Sequence, residues 1–225
     1  MPSFPEPNLR NINAMPKLIE HQTKHLDDAY GVILPERKYP ALKALKKQYE
    51  PDAHGHKTWE SSYNVMDYLL HHPLRQGARV LEIGCGWGPA AVFCAKHFDA
   101  KVTGLDIDKN VFPFLDLVAD LNGVQIQHLV SNYKKLTADD LREYDVIIGS
   151  DICFWDKLVK PLAALSQRAL DAGVERVIVA DPGRPTFYKM VKRMRKTADV
   201  NLQDWYAMDP EFFQGDIVEF RRSVG

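Results

Sequence analysis

The chain has 225 residues, a length that suits one ordinary globular domain, and 45% hydrophobic against 26% charged residues gives enough apolar material for a sizeable core. Its 29 Lys and Arg against 30 Asp and Glu leave a formal charge of −1, so there is no whole-chain electrostatic footprint for nucleic acid. No apolar run approaches the roughly 20 residues that span a bilayer, no leader pattern is expected in MPSFPEPNLRNINAMPK, and Cys85, Cys94 and Cys153 have no CxxC spacing, which argues against disulfides and zinc and for a reducing cytoplasm.

Residues 1–56 are rich in Pro, Lys and His and lack a convincing strand. Two amphipathic helices are predicted there, Met15–Tyr30 and Pro40–Tyr49, joined by the loop Gly31–Tyr39. They form an N-terminal helical extension to a second unit, residues 57–225. The extension either packs on that unit for stability or caps its substrate side. His54 and His56 flank Gly55, but two histidines without a third ligand do not make a metal site, and none is expected.

From Trp59 the pattern alternates. A helix over Trp59–His72 precedes the apolar run Ala78–Ile83. Then follow a helix at Pro89–His97, a strand at Lys101–Ile107, a helix at Asn110–Leu121 and a strand at Val124–Leu129. A short helix at Ala138–Glu143 leads to a strand at Tyr144–Ser150, a long helix at Lys157–Ala172 and a strand at Arg176–Ala180. Strands alternating with helices imply βαβ units and a mostly parallel sheet. The near-continuous apolar runs VLEI, DVII and RVIVA suit strands buried on both faces. A basic helix over Thr186–Lys196, whose Lys189, Lys192, Arg193, Arg195 and Lys196 read as a solvated face, is followed by two closing strands, Val200–Tyr206 and Ile217–Arg222. Residues Met208–Gly215 connect them. The fold class is α/β, a doubly wound, mostly parallel, seven-stranded Rossmann-like sheet with an antiparallel closing strand.

The chemistry concentrates in Glu82-Ile-Gly84-Cys-Gly86-Trp-Gly88-Pro89, between the first strand of this alternation and its helix. Glycines let the backbone turn sharply and approach a ligand. Pro89 suits a first helical turn, where its missing N–H costs nothing. In such sheets ligands bind beyond the carboxyl ends of the strands at the switch point. A dinucleotide fingerprint would put glycine or alanine at Pro89. Here the pattern is acid-x-G-x-G-x-G, which sets the Glu82 carboxylate where it can attract a cationic group. S-adenosylmethionine (SAM) carries a sulfonium and an ammonium and has no pyrophosphate, so the loop favours SAM over NAD. Asp106 ends the second strand about 20 residues on, where a carboxylate accepts both ribose hydroxyls. Asp108 reads as a helix cap. Asn132, after the third strand, either reaches an adenine edge or makes a turn.

Glycine loop, acid-ended second strand and βα alternation together resemble the seven-strand class I SAM-dependent methyltransferases over roughly residues 59–223. Three more segments are similar to the family-16 lysine methyltransferases, of the type that modifies the electron-transfer flavoprotein β subunit. They are Thr58-Trp59-Glu60-Ser61-Ser62 at a helix start, Ser150-Asp151-Ile-Cys-Phe154-Trp155 after strand four, and Ala180-Asp181-Pro182-Gly183-Arg184-Pro185 after strand five. The resemblance implies protein lysine N-methylation with SAM as cofactor. It places Trp59 beside Glu82, Gly84, Gly86, Gly88, Asp106 and Asn132 as cofactor-binding candidates. The chain departs from that family where its acid-x-x-Tyr motif has tyrosine: here Phe154 stands, with no hydroxyl to orient an amine.

Methyl transfer is an in-line displacement in which positioning supplies much of the rate. The catalytic candidates are Asp151, to orient the acceptor and accept its hydrogen bond, and Phe154 and Trp155, to wall it with some cation–π attraction. Against these stand a helix-cap role for Asp151 and ordinary packing for the aromatics. Arg184 reads as a partner of Asp181 that holds the Pro182-Gly183 turn. A protein substrate, no nucleic acid, no membrane and a monomer are expected. A small-molecule methyltransferase and a non-catalytic SAM-binding protein are the alternatives. The segment Ser-Asp-Ile-Cys-Phe is not the Asn-Pro-Pro-Tyr type that suits a flipped base.

Overall fold

The computed structural model describes residues 24–51 and 55–223. It opens with an antiparallel hairpin, β1 (Leu26–Ala29) and β2 (Val32–Pro35), followed by α1 (Pro40–Gln48). The expected helix Met15–Tyr30 is therefore corrected where it can be seen: Leu26–Ala29 is a strand, and residues 15–23 lie outside the described residues. The turn residues Tyr30 and Gly31 both take positive φ, 52° and 76°, as a two-residue hairpin turn requires. Contacts remote in sequence stabilise the hairpin. The Asn122 side chain accepts from Ile33 N and donates to Ile33 O, each at 2.8 Å, and Lys96 Nζ reaches Gly31 O at 2.6 Å. Ala29, Val32 and Leu34 are buried by this docking.

After α2 (Ser61–His71) the chain alternates as expected: β3 (Arg79–Ile83), α3 (Pro89–Phe98), β4 (Lys101–Asp106), α4 (Phe112–Asn122), β5 (Gln127–Val130), α5 (Ala138–Leu141), β6 (Val146–Ser150), α6 (Asp156–Ala172), β7 (Arg176–Asp181) and α7 (Pro185–Met194). The long strands β8 (Ala198–Ala207) and β9 (Phe213–Arg222) close it. The sheet runs β5-β4-β3-β6-β7-β9-β8, parallel from β5 to β7, with β9 antiparallel to both its neighbours.

Alternating strand residues feed two cores, as the period of two in a strand demands. Val80, Ile148 and Ile178 pack under α2, α3 and α4, whereas Leu81, Ile147, Val177 and Val179 pack under α6 and α7. Order reverses between β3 and β6, which opens the crevice at the carboxyl edge of the sheet. Among the described residues no helix is long and apolar enough to cross a membrane.

Candidate active site

A cavity of about 400 Å³ lies at that edge, between the ends of β3, β4 and β6 and the start of α2. Its floor is the glycine loop. Gly84, Gly86 and Gly88 all take positive φ, at 65°, 53° and 64°. Gly84 and Gly86 line the cavity, while Gly88 stands off it: a Cβ there would fall 2.1 Å from Leu115 Cδ1, so its glycine serves packing against α4. Trp87, absent from the sequence candidates, ties the loop to the segment before α2. Its indole donates to Gly55 O at 2.9 Å and stacks on Phe114 with centroids 5.1 Å apart.

Two carboxylates face this floor. Glu82 is buried and accepts from Ala91 N at 3.1 Å at the start of α3. Burial, then Asp106, pushes its pKa up to about 8, against the backbone bond from Ala91. Asp106 accepts from Gly86 N at 3.2 Å and Asp108 N at 3.0 Å, which holds loop and strand end together; burial raises its pKa too. Neither carboxylate has an ion-pair partner among the described residues. Two adjacent acids in a half-dry crevice favour a ligand that brings its own positive charge.

Asp108 caps the short 3₁₀ turn before α4, accepting from Asn110 N at 2.9 Å. The Asn132 side chain lines the cavity while its Oδ1 accepts from Lys134 N at 3.0 Å, the turn role. Next to it, Tyr133 also lines the cavity, and its buried hydroxyl has no hydrogen-bond partner among the described residues. Sequence spacing gave no sign of it.

The opposite side is built on the ends of β6 and β7. Asp151 is buried at a left-handed φ of 57°, with backbone N donating to Ala180 O at 3.0 Å. The helix-cap alternative is not what the structure has: Trp155 is the N-cap residue of α6, and the Asp151 carboxylate turns to Arg184 instead. Arg184 Nη2 donates to Asp151 Oδ1 at 2.5 Å and Nη1 to Asp181 Oδ2 at 2.9 Å. Asp181 Oδ1 in turn accepts from Gly183 N and Arg184 N, so the expected turn pairing is present and extended to Asp151. Two carboxylates and one guanidinium leave the group one net negative charge.

Phe154, Trp155 and Trp59 all line the cavity, and a cation lies over each ring: Arg184 at 5.2 Å, Lys157 at 4.5 Å and Lys57 at 4.3 Å. Trp155 stays 48% exposed, so it is a wall of the mouth more than a core side chain. His56 meets Trp59 edge-on at 6.2 Å, and His54 lies outside the described residues. No group of three or more metal-ligating side chains occurs among the described residues.

A doubly wound sheet of this strand order, with an antiparallel strand set between two others and an acid-ended glycine loop at its switch point, is the class I methyltransferase fold. Residues 60–151 match the family model described as mycolic acid cyclopropane synthetase; the match runs from α2 to the end of β6 and stops before Phe154. The chain is similar to the electron transfer flavoprotein beta subunit lysine methyltransferase of Xenopus laevis, 25% identical over 149 residues that cover 65% of this chain and 60% of that one. It is also similar to protein-lysine N-methyltransferase EFM3 of Chaetomium thermophilum, 28% identical over 176 residues, 71% of this chain and 50% of the relative. The chain thus spans about half to three fifths of the length of these curated relatives. Among solved structures, magnesium protoporphyrin IX methyltransferase from Synechocystis PCC 6803 with bound SAH superposes with a TM-score of 0.55 at 14% identity, covering 84% of this chain and 88% of that one.

Proposed function

We propose that this chain is a SAM-dependent methyltransferase that modifies lysine side chains of a protein substrate. The observation that carries the reading is the pair Glu82 and Asp106, two carboxylates without an ion-pair partner among the described residues at the floor of a crevice lined by aromatic rings. SAM suits that donor set. Glu82 would hold its ammonium group and Asp106 its ribose hydroxyls, Asn132 and Tyr133 would flank its adenine, and Gly84 and Gly86 would give the backbone close approach. Bound SAM supplies an electrophilic methyl group.

The remaining work belongs to the acceptor wall. A lysine amine attacks only when neutral, although its ordinary pKa is near 10.4. The rings of Phe154, Trp155 and Trp59 make a poor solvent for charge, and the cations over them, Arg184, Lys157 and Lys57, repel a second ammonium, so an entering lysine is favoured in its neutral form and gives its proton to water at the open mouth. Arg184 takes Asp151 Oδ1, and the other carboxylate oxygen would accept a hydrogen bond from the amine. Asp151 need not be a strong base; orienting the lone pair along the displacement axis is enough. The lysine methyltransferase names of the relatives support this choice of acceptor.

The test is transfer from SAM labelled in its methyl group to proteins of a cell extract, followed by acid hydrolysis and amino-acid analysis. Label in methyllysine supports the reading. Label confined to small molecules would replace it with the small-molecule alternative.

A further inference from the structure

The sheet carries a second feature at the same carboxyl edge, outside the lining of the cavity. Because Asp181 of β7 is the register partner of Asp216 of β9, the connection between β8 and β9 lies beyond the carboxyl end of β7, where the cavity also opens. On that connection and the end of β8, Tyr206, Met208 and Phe212 are 58%, 63% and 63% exposed, and Tyr206 and Phe212 have ring centroids 6.0 Å apart. Helix α7 explains why. It covers the first part of this sheet face, where Val200 and Leu202 pack with Met190 and Met194, and leaves Tyr206 uncovered.

The charge here has one sign. Residues 198–218 contain five acids and no Lys, Arg or His, in a chain that is near neutral overall. Asp204 and Glu211 are exposed beside the apolar side chains. Burial, with Glu60, Asp27 and Glu211 nearby, raises the pKa of Tyr63, so the acids of this surface reach a side chain of α2, the helix whose start borders the cavity. An exposed apolar cluster rimmed by acids suits a partner with apolar and basic side chains.

We infer that Tyr206, Met208 and Phe212, with Glu211 and Asp204, dock a basic and apolar stretch of the protein whose lysine enters the cavity. This identity of the occupant rests on the lysine-methylation reading above. From β6 to β8 is three strand spacings, roughly 14 Å. An extended chain covers that in about four to five residues. The favoured substrate therefore has an apolar residue and a Lys or Arg about that far from the target lysine.

The experiment uses the full chain with S-adenosylhomocysteine present and a synthetic peptide carrying Leu, Phe and Arg about four to five residues beyond a central lysine. Hydrogen exchange reads where it binds, and fluorescence anisotropy reads affinity for the wild type, for the M208S/F212S double variant and for Glu211→Lys. All three positions are exposed and none lines the cavity. Peptide-dependent protection across 204–213 and affinity lower by roughly tenfold or more in both variants are the expected results. Wild-type affinity in the variants, or protection confined to the basic face of α7, would overturn it. So would protection of 204–213 without peptide that disappears when residues 1–23 are deleted, since the chain's own segment would then be the occupant. Titration of the same samples with SAM separates the readings. Peptide binding insensitive to the variants alongside intact SAM binding rejects the docking surface alone, whereas absent SAM binding in the wild type rejects methyl transfer.

Discussion

Arg184 holds Asp151: its Nη2 lies 2.5 Å from the Asp151 Oδ1, while its other terminal nitrogen grips Asp181. The ion pair leaves one Asp151 oxygen for the acceptor and sets its direction. Replacing Arg184 with Ala should therefore lower kcat by about tenfold to a hundredfold, in line with the cost of misplacing a reacting group by about 1 Å. SAM affinity should not change, because Arg184 does not line the cavity floor. Arg184→Lys should recover part of the rate, and added guanidinium should rescue the alanine variant. Single-turnover methyl transfer and SAM titration check both halves; equal losses in stability and SAM binding would leave only a structural role.

Glu82 makes ligand binding pH-dependent. Its pKa is pushed up to about 8 by burial and then Asp106, so near pH 7 the free protein mostly holds its proton. A cationic ligand favours the carboxylate, so binding near pH 7 releases a proton. Affinity should rise with pH up to about 8 and level off above it. The unliganded fold shows the opposite sign: since the folded pKa exceeds the ordinary 4.5, this group lowers stability as pH rises from there to about 8. Calorimetry in two buffers of different ionisation enthalpy measures the proton release, and Glu82→Gln should abolish it.

Two glycines of one loop should fail differently. Gly88→Ala drives a methyl group to 2.1 Å from the fully buried Leu115 and strains a φ of 64°, so it should cost about 1–3 kcal/mol of stability. Gly86→Ala meets nothing within 4 Å and bears only the cost of its φ, 53°, but it changes a residue that lines the cavity. Denaturant melts should separate the two, with Gly86→Ala losing ligand affinity more than stability.

Tyr30 joins the hairpin to the far end of the sheet. Its hydroxyl donates to Asp67 Oδ2 at 2.9 Å and accepts from Met208 N at 2.8 Å and Asp209 N at 3.3 Å. Tyr30→Phe removes the acceptor of the half-buried Asp209 N–H and of the exposed Met208 N–H, and should destabilise the fold by about 1 kcal/mol. A thermal melt checks it, with hydrogen exchange at 207–210 rising first.

What the sequence made legible follows the range of the interactions. The glycine loop, the acid at Asp106, the cap at Asp108 and the βα alternation all lie within short spans, where period and turn chemistry act locally. The β1–β2 hairpin was missed because Asn122, Lys96 and His97, far along the chain, hold its backbone. Residues 26–30 read equally well as the end of a helix, and the expected loop Gly31–Tyr39 is corrected too, since Val32–Pro35 is strand β2. The Arg184–Asp181 pair spans three residues and was read; the Arg184–Asp151 pair spans 33 and needed β6 and β7 side by side. Gly88 looked like its neighbours because sequence cannot distinguish a glycine that meets ligand from one that makes room for Leu115. The uncovered face at Tyr206 depends on where α7 ends, a tertiary fact.

The central claim is that the acid-lined crevice holds SAM. Calorimetric titration of the wild type and of Asp106→Ala with SAM, S-adenosylhomocysteine and NAD tests it most directly. Saturable binding of SAM and S-adenosylhomocysteine but not NAD, lost in Asp106→Ala, is the expected result. Binding of NAD in their place, or of none of the three, would contradict the account and leave a methyltransferase fold with another ligand in its crevice.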